Sequence, residues 1–330
     1  MTGKFTRRIQ WGKETTAGTA VAATAVARAE GVPEDVGDYS RYAEDVNHIN
    51  GLTDQYTAYK QARLPMAFNP ATFEQICDVL DGGIAVATAT ADGAGTGKVR
   101  TYTFPNTSTV SITTKTIEGG DGESCEEIEY AFVEKLTFAG QQKQACTLNA
   151  DWVGRQITPT TFTSGLAALD VNPILFGNSK LYIDEPGGTI GTTLVSSTVT
   201  AFSLDIETGL VPRFTGDGDI KYKSVARSKF VPTLKLTFEH NSTAKAEKAK
   251  WVANTARQIQ LKIEGPALTT SGTYTKYTYI LNLAGLYTKF NALSEDDGND
   301  IVDAEFVGCY DITAGLFGSI IVVNQLATIP

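Results

Sequence analysis

A mainly β protein of two tandem β-sandwiches, each with one flanking helix, is the fold class that the 330-residue sequence predicts. Three observations point there. Threonine is abundant, 44 residues against 2 His and 2 Met, and this β-branched polar side chain suits pleated, half-wet surfaces. Period-two alternation recurs in Val133–Phe138, Ala145–Ala150 and Thr198–Ile206, which puts successive side chains on opposite faces of a sheet. Finally, the order of elements in the first half returns about 170 residues later, as a duplicated unit would. The length also favours two domains over one. We place them at residues 1–165 and 166–330, with the join in the Thr-, Gly- and Pro-rich stretch Pro159–Pro173.

Taken in chain order, Trp11-Gly-Lys-Glu14 with Gly18-Thr19 matches Tyr182-Ile-Asp-Glu185 with Gly188-Thr189. The strand Leu64–Asn69 then leads into a helix over Pro70–Asp81. Phe73, Ile76, Cys77 and Leu80 make its apolar stripe, Asn69 is its expected N-cap and Pro70 its first residue. Leu236–Asn241, 172 residues on, precedes a second helix over Ser242 to about Ala256, with Ala244, Trp251, Val252 and Thr255. Beyond the helices, strands Gly83–Thr88 and Thr101–Phe104 match Gln258–Ile263 and Lys276–Tyr279 at a spacing of 175. Acidic loops at Asp121-Gly122 and Asp297-Gly298 lead into Glu129–Phe132 and Glu305–Gly308, at a spacing of 176. A hydrophobic strand within Ser319–Leu326 closes the chain.

Composition excludes several functions. The formal charge is −9, so a neutralising grip on nucleic acid, which needs clustered Lys and Arg, is not expected. No apolar run approaches the ~20 residues of a membrane-spanning helix, and the opening residues carry no export signal, so a soluble protein is expected. Cys77, Cys125, Cys146 and Cys309 lie far apart, without zinc spacing or a dense disulfide framework. Gly93-Ala-Gly-Thr-Gly-Lys98 fails as a phosphate loop in spacing and in having Val99 where a hydroxyl belongs, and reads as a hairpin loop. Glu295–Asp300 fails the EF-hand register and reads as a solvated acidic loop. His48 and His240 stand alone, and Cys77 falls on the apolar face of its helix. No catalytic residue, cofactor site or metal site is assigned, and the chain is not read as an enzyme.

The opening Ile9–Thr19, the strand-then-helix Leu64–Leu80, Glu129-Tyr-Ala-Phe-Val-Glu-Lys-Leu-Thr-Phe-Ala-Gly140 and Leu148-Asn-Ala-Asp-Trp-Val-Gly-Arg155 resemble the major tail tube proteins of long-tailed, non-contractile bacteriophages. The resemblance covers essentially the whole chain. It implies a structural virion protein, assembled in the host cytoplasm, whose β-sandwiches lend strands to a barrel shared by six domains around a lumen. Usual members have one domain and form hexamer rings; a duplicated chain would close with three copies into a pseudo-hexamer. The rings stack into a conduit for DNA ejection, with the tape-measure protein and DNA in the lumen and other tail proteins at the tube ends. Two other readings stay open: a distal-tail or tail-completion ring protein, and a carbohydrate-binding β-sandwich.

The resemblance carries geometry with it. Four strands from each of six domains, at ~4.8 Å spacing and ~45° tilt, give a barrel of roughly 50 Å and a bore of about 40 Å. Duplex DNA, roughly 20 Å across, passes such a bore without touching both walls, and an acidic wall repels it on close approach. On alternation, Glu134, Asp205 and Glu207 are the lumen candidates. The acidic loops, with Asp121, Glu123, Asp296 and Asp297, and the basic Arg7 and Arg8 are the candidates for contacts between stacked rings.

Overall fold

The computed structural model describes residues 6–49, 51–108 and 110–330. The first half carries β1 (Arg8–Lys13), β2 (Ala25–Ala27), β3 (Glu34–Asp35), β4 (Asp38–Ala43), β5 (Leu52–Tyr59), β6 (Ala62–Phe68), α1 (Ile76–Gly83), β7 (Thr90–Ala91), β8 (Lys98–Thr103), β9 (Lys115–Gly120), β10 (Cys125–Gln141), β11 (Thr147–Gly154) and β12 (Ile157–Thr160). The second carries β13 (Ser179–Asp184), β14 (Leu194–Val195), β15 (Val199–Glu207), β16 (Leu210–Arg213), β17 (Ser224–Arg227), β18 (Val231–Glu239), α2 (Ser242–Val252), β19 (Arg257–Ala267), β20 (Lys276–Phe290), β21 (Ser294–Asp296), β22 (Asn299–Gly308) and β23 (Gly318–Asn324). The protein is mainly β, as expected.

A central antiparallel sheet runs β3–β6–β11–β10–β15–β18–β22–β20. Strict alternation builds it: in β6, Leu64, Met66 and Phe68 are buried while Arg63, Pro65 and Ala67 are exposed. Two strands are long enough to serve two sheets. The first part of β10 pairs with β9 and β12, and its second part with β11 and β15. The first part of β20 pairs with β19 and β23, and its second part with β22. β10 changes partners between Ala131 and Phe132 and β20 at Gly285, and each carries a bulge just beyond, between Val133 and Lys135 and between Tyr287 and Lys289. Among the described residues the strand pairings branch at β10, β20 and β22 and never return on themselves, so the sheets stay open rather than closing into a barrel.

The ladders use one pairing pattern twice. Trp11 faces Ile117 as Tyr182 faces Gln260, and Phe132 faces Val153 as Leu286 faces Val307. Leu148 faces Phe68 as Val302 faces Phe238, and Glu34 faces Arg63 as Asp205 faces Thr233. The match of Trp11 with Tyr182 is the one the sequence echo gives; the others differ. The pattern couples β19 to β9, whereas Gly83–Thr88 forms no strand. Likewise, Glu305–Gly308 corresponds to Asp151–Gly154, not to Glu129–Phe132. The reason is an insertion after α1: β8 leaves the first half and adds an edge strand to β23 of the second. Its turn, Gly93–Gly97, is the expected hairpin loop; Asp92 accepts hydrogen bonds there from Thr273 N–H and Tyr274 N–H of the second half, both at 2.9 Å.

Both helices start or stop differently from expectation. Helix α1 begins at Ile76, six residues after Pro70, and Asn69 does not cap it. Ala71 N–H donates to Cys146 O, Phe73 N–H to Asn172 O and Ile174 N–H to Ala71 O. With its backbone bonded sideways to neighbouring chain, the Ala71–Phe73 segment cannot turn helical. Helix α2 starts at Ser242, where the Asn241 side chain accepts from Thr243 N–H and Ala244 N–H, and ends at Val252, which is exposed.

One apolar core crosses both halves. Trp11, Phe68 and Trp152 pack with ring centroids 6.1 Å apart, and Phe138 of the first half lies 4.8 Å from Tyr279 of the second. All four expected stripe residues of α1 are buried in it. So is an ion pair, Lys115 with Asp78 of α1; Lys115 also donates to Pro330 O at 2.9 Å and lies 4.6 Å over the Trp11 ring. Burial pushes the Asp78 carboxyl up, against the pull of Lys115. Lys115→Met, which leaves that acid unpaired, is expected to cost about 3–5 kcal/mol, read as a lower urea midpoint at constant m value. Adding Asp78→Leu should restore most of the loss.

Candidate functional site

The polar face of the central sheet is concave. An open groove of about 630 Å³ runs over it across β10, β15, β18, β22 and β20, lined by Gln141, Ser203, Lys235, Thr237, Lys289, Asp303 and Glu305 among others. Register explains the gathering. Thr137 stands opposite Asp205, Asp205 opposite Thr233, and one step along the strands Ser203, Lys235, Glu305 and Lys289 form a second row. Since these positions alternate with Phe138, Leu204, Leu236 and Phe306 of the core, a single period-two pattern sets both faces.

The structure brings the three lumen candidates together on this face. Glu134 sits at the β10 bulge and is ion-paired with Arg63 of β6. Asp205 accepts from Thr137 Oγ1 at 2.7 Å and pairs with Lys235 at 3.0 Å. Burial raises the Asp205 carboxyl, but the bonds from Thr137 and Lys235 outweigh it and hold the group below its ordinary range. Glu207 ends β15 opposite Lys135 and is exposed. The face is therefore less acidic than a formal charge of −9 implies: Glu134 and Asp205 meet cations, and Lys135 and Lys289 stand among Asp151, Asp303 and Glu305. Lys235, Lys289 and Arg63 were not singled out from sequence, although the alternation in Val231–Glu239 places Thr233, Lys235 and Thr237 on one face.

The contact candidates fall at the two ends of the sheet. Asp121 and Glu123 form the β9–β10 turn, where Asp121 Oδ1 accepts from Glu123 N–H at 2.9 Å and Ser124 N–H at 3.0 Å. Arg8 lies beside that turn, opposite Gly120, with its guanidinium 4.0 Å over Phe162, and Arg7 precedes it. Asp296 and Asp297 lie at the other end, in the β21–β22 hairpin. Its two-residue loop Asp297-Gly298 has positive φ at both positions, 50° and 81°, as a type I′ turn requires. There Asp296 accepts from Gln142 Nε2 at 3.2 Å, and Lys143 lies 3.7 Å from Asp297. Both basic candidates thus share an end with Asp121 and Glu123, while Asp296 and Asp297 at the other end meet Gln142 and Lys143.

Other features bear on chemistry. Burial pushes the Cys77 thiol up to about 12 and fixes it as a core residue rather than a nucleophile. Among the described residues no group of His, Cys, Asp and Glu has the arrangement to hold a metal ion, and no helix is long and apolar enough to cross a membrane.

A family model described as phage tail tube protein matches residues 5–308. No curated protein matches the chain.

Asp205 should stitch β15 to β10 and β18 only while ionised. Because its folded pKa is depressed, its contribution is complete above the ordinary carboxylate pKa near 3.9 and is lost as pH falls through the lower folded value. Asp205→Asn is expected to cost less than about 1 kcal/mol at neutral pH, the pair being half exposed, and to flatten the stability profile on the acid side. Denaturant unfolding at stepped pH measures both.

Proposed function

We propose, for this chain, which belongs to the phage tail tube protein family, that it is a structural tail subunit of two tandem tube modules, residues 1–165 and 166–330, three copies of which close a ring whose bore is the concave face described above. The observation that carries this is the sheet β3–β6–β11–β10–β15–β18–β22–β20, four strands from each half joined by the β10–β15 ladder. Its outer strands, β3 and the later part of β20, each have a partner on one side among the described residues. Open edges of this kind are satisfied by adding another copy. Eight strands from each of three copies supply the 24 of the expected barrel. Rings stacked head to tail then extend into a filament, since such contacts do not close on themselves.

The mixed, slightly acidic face suits passage rather than binding of DNA. Few cations are free to release counterions, so the duplex gains little by resting on the wall. Assembly in the host cytoplasm, a tape-measure protein in the bore and other tail proteins at the ends complete the reading. The family match favours it over a carbohydrate-binding module. A tail-completion ring would stop at one ring, where a tube subunit continues.

Negative-stain microscopy of the purified chain is expected to show hollow filaments with a bore of about 40 Å and threefold ring averages. A chain that stays monomeric at every concentration, or rings that never stack, would refute the tube assignment. Reversing charge with Asp296→Lys and Asp297→Lys is expected to shorten the filaments without unfolding the chain, checked by length distributions alongside circular dichroism.

A further inference from the structure

The hairpin β4–β5 projects large apolar side chains that the described residues leave largely open: Tyr39 is 57% and Leu52 49% exposed. The second half has a hairpin, β16–β17, in the same place. Tyr39 faces Thr57 as Leu210 faces Arg227, and each hairpin links the matched strands β3 and β6 or β15 and β18. Leu210 takes the ladder position of Tyr39, and Tyr222 follows Leu52 by 170 residues, the same spacing that relates Thr57 to Arg227. Their surroundings differ completely. Leu210 is 4% exposed and Tyr222 fully buried, both seated on Tyr130, Phe132 and Val153 of the first half. The Tyr222 hydroxyl donates to Tyr130 O at 2.7 Å, and its ring centroid lies 6.1 Å from that of Phe132. One hairpin is docked and its twin is not.

The seat has a twin as well. Leu286 and Val307 occupy the ladder positions of Phe132 and Val153. Phe132 and Val153 are sealed beneath β16–β17, whereas Leu286 and Val307 are half-open. We propose that β4–β5 is an arm that seats on a second copy of this chain, with Tyr39 and Leu52 covering that copy's Leu286 and Val307 as Leu210 and Tyr222 cover Phe132 and Val153 within the chain. The adjoining edges follow the same template. Thr137 meets Asp205 across the internal ladder, so their counterparts Asn291 and Glu34 face each other across the joint between copies. This interface deepens the ring reading and rests on it: the internal contact is repeated head to tail until the ring closes.

The test uses full-length chain carrying Cys309→Ser, the other three cysteines being buried. Chain with Leu52→Cys is mixed with chain carrying Leu286→Cys, assembled and oxidised, and run on a non-reducing gel. A covalent dimer joining the two variants is expected, together with a dimer from Asn291→Cys mixed with Glu34→Cys but not from Asn291→Cys mixed with Val32→Cys, which is slipped along the same edge. The double variant Tyr39→Ser, Leu52→Ser should keep the thermal midpoint of the unassembled chain, since both side chains are exposed, and raise the concentration needed for assembly at least about tenfold. Rings or tubes that form without the 52–286 cross-link, or that the double variant assembles as readily as the parent, would overturn the arm and leave the tube reading intact. A chain that never assembles would overturn both.

Discussion

The ladder between β10 and β15 is the constraint on which the rest depends. Its register runs from Lys135 opposite Glu207 to Gln141 opposite Ala201, and it fuses what would otherwise be two four-stranded sheets into one. The ladder sets the line of the concave face, places Thr137 against Asp205, and brings Phe138 over the ring of Tyr279 so that the two halves share a core. A slip of one residue would turn Phe138 and Leu204 to solvent and Thr137 and Asp205 inward, so burial on one face locks the register. Apolar packing, rather than the half-exposed ion pairs, therefore holds the joint.

Much of this was legible in the sequence because it rests on local periodicity. Alternation identified β6, β10, β11 and β15 and put Asp205 and Glu207 on one face, whereas Glu134 joins them only through the β10 bulge, and the stripe Phe73, Ile76, Cys77 and Leu80 identified α1. What periodicity misses is pairing at a distance. Nothing local to Lys98–Thr103 says that β8 crosses to β23, or that Gly83–Thr88, apolar and alternating, forms no strand. The start of α1 was missed for the same reason, since the bonds that hold Ala71–Phe73 extended come from Cys146, Asn172 and Ile174. Charge was the other blind spot. Net charge counts residues, whereas the character of the concave face depends on which carboxylates meet Arg63 and Lys235, and that is a matter of neighbouring strands.

On the proposed reading of two tandem modules, fusing them in one chain changes their association. A joint made within the chain forms at the high effective concentration of a tethered pair, while a joint between copies depends on how much protein is present. The two hairpins show the difference: β16–β17 is already seated, with Arg227 donating to Gly83 O and Ile84 O at the end of α1, while β4–β5 keeps its tyrosines exposed. The halves also differ. The first carries the long excursion with β7 and β8, and the second the longer helix and the β21–β22 hairpin.

The two long bulged strands have a mechanical corollary. Because β10 and β20 each run unbroken from the central sheet into the second sheet, the layers are joined by peptide bonds as well as by interleaved side chains. In the proposed tube, shear along the cylinder would then be carried by covalent backbone, and the wall would resist flattening as a laminated beam does when its plies are sewn rather than glued.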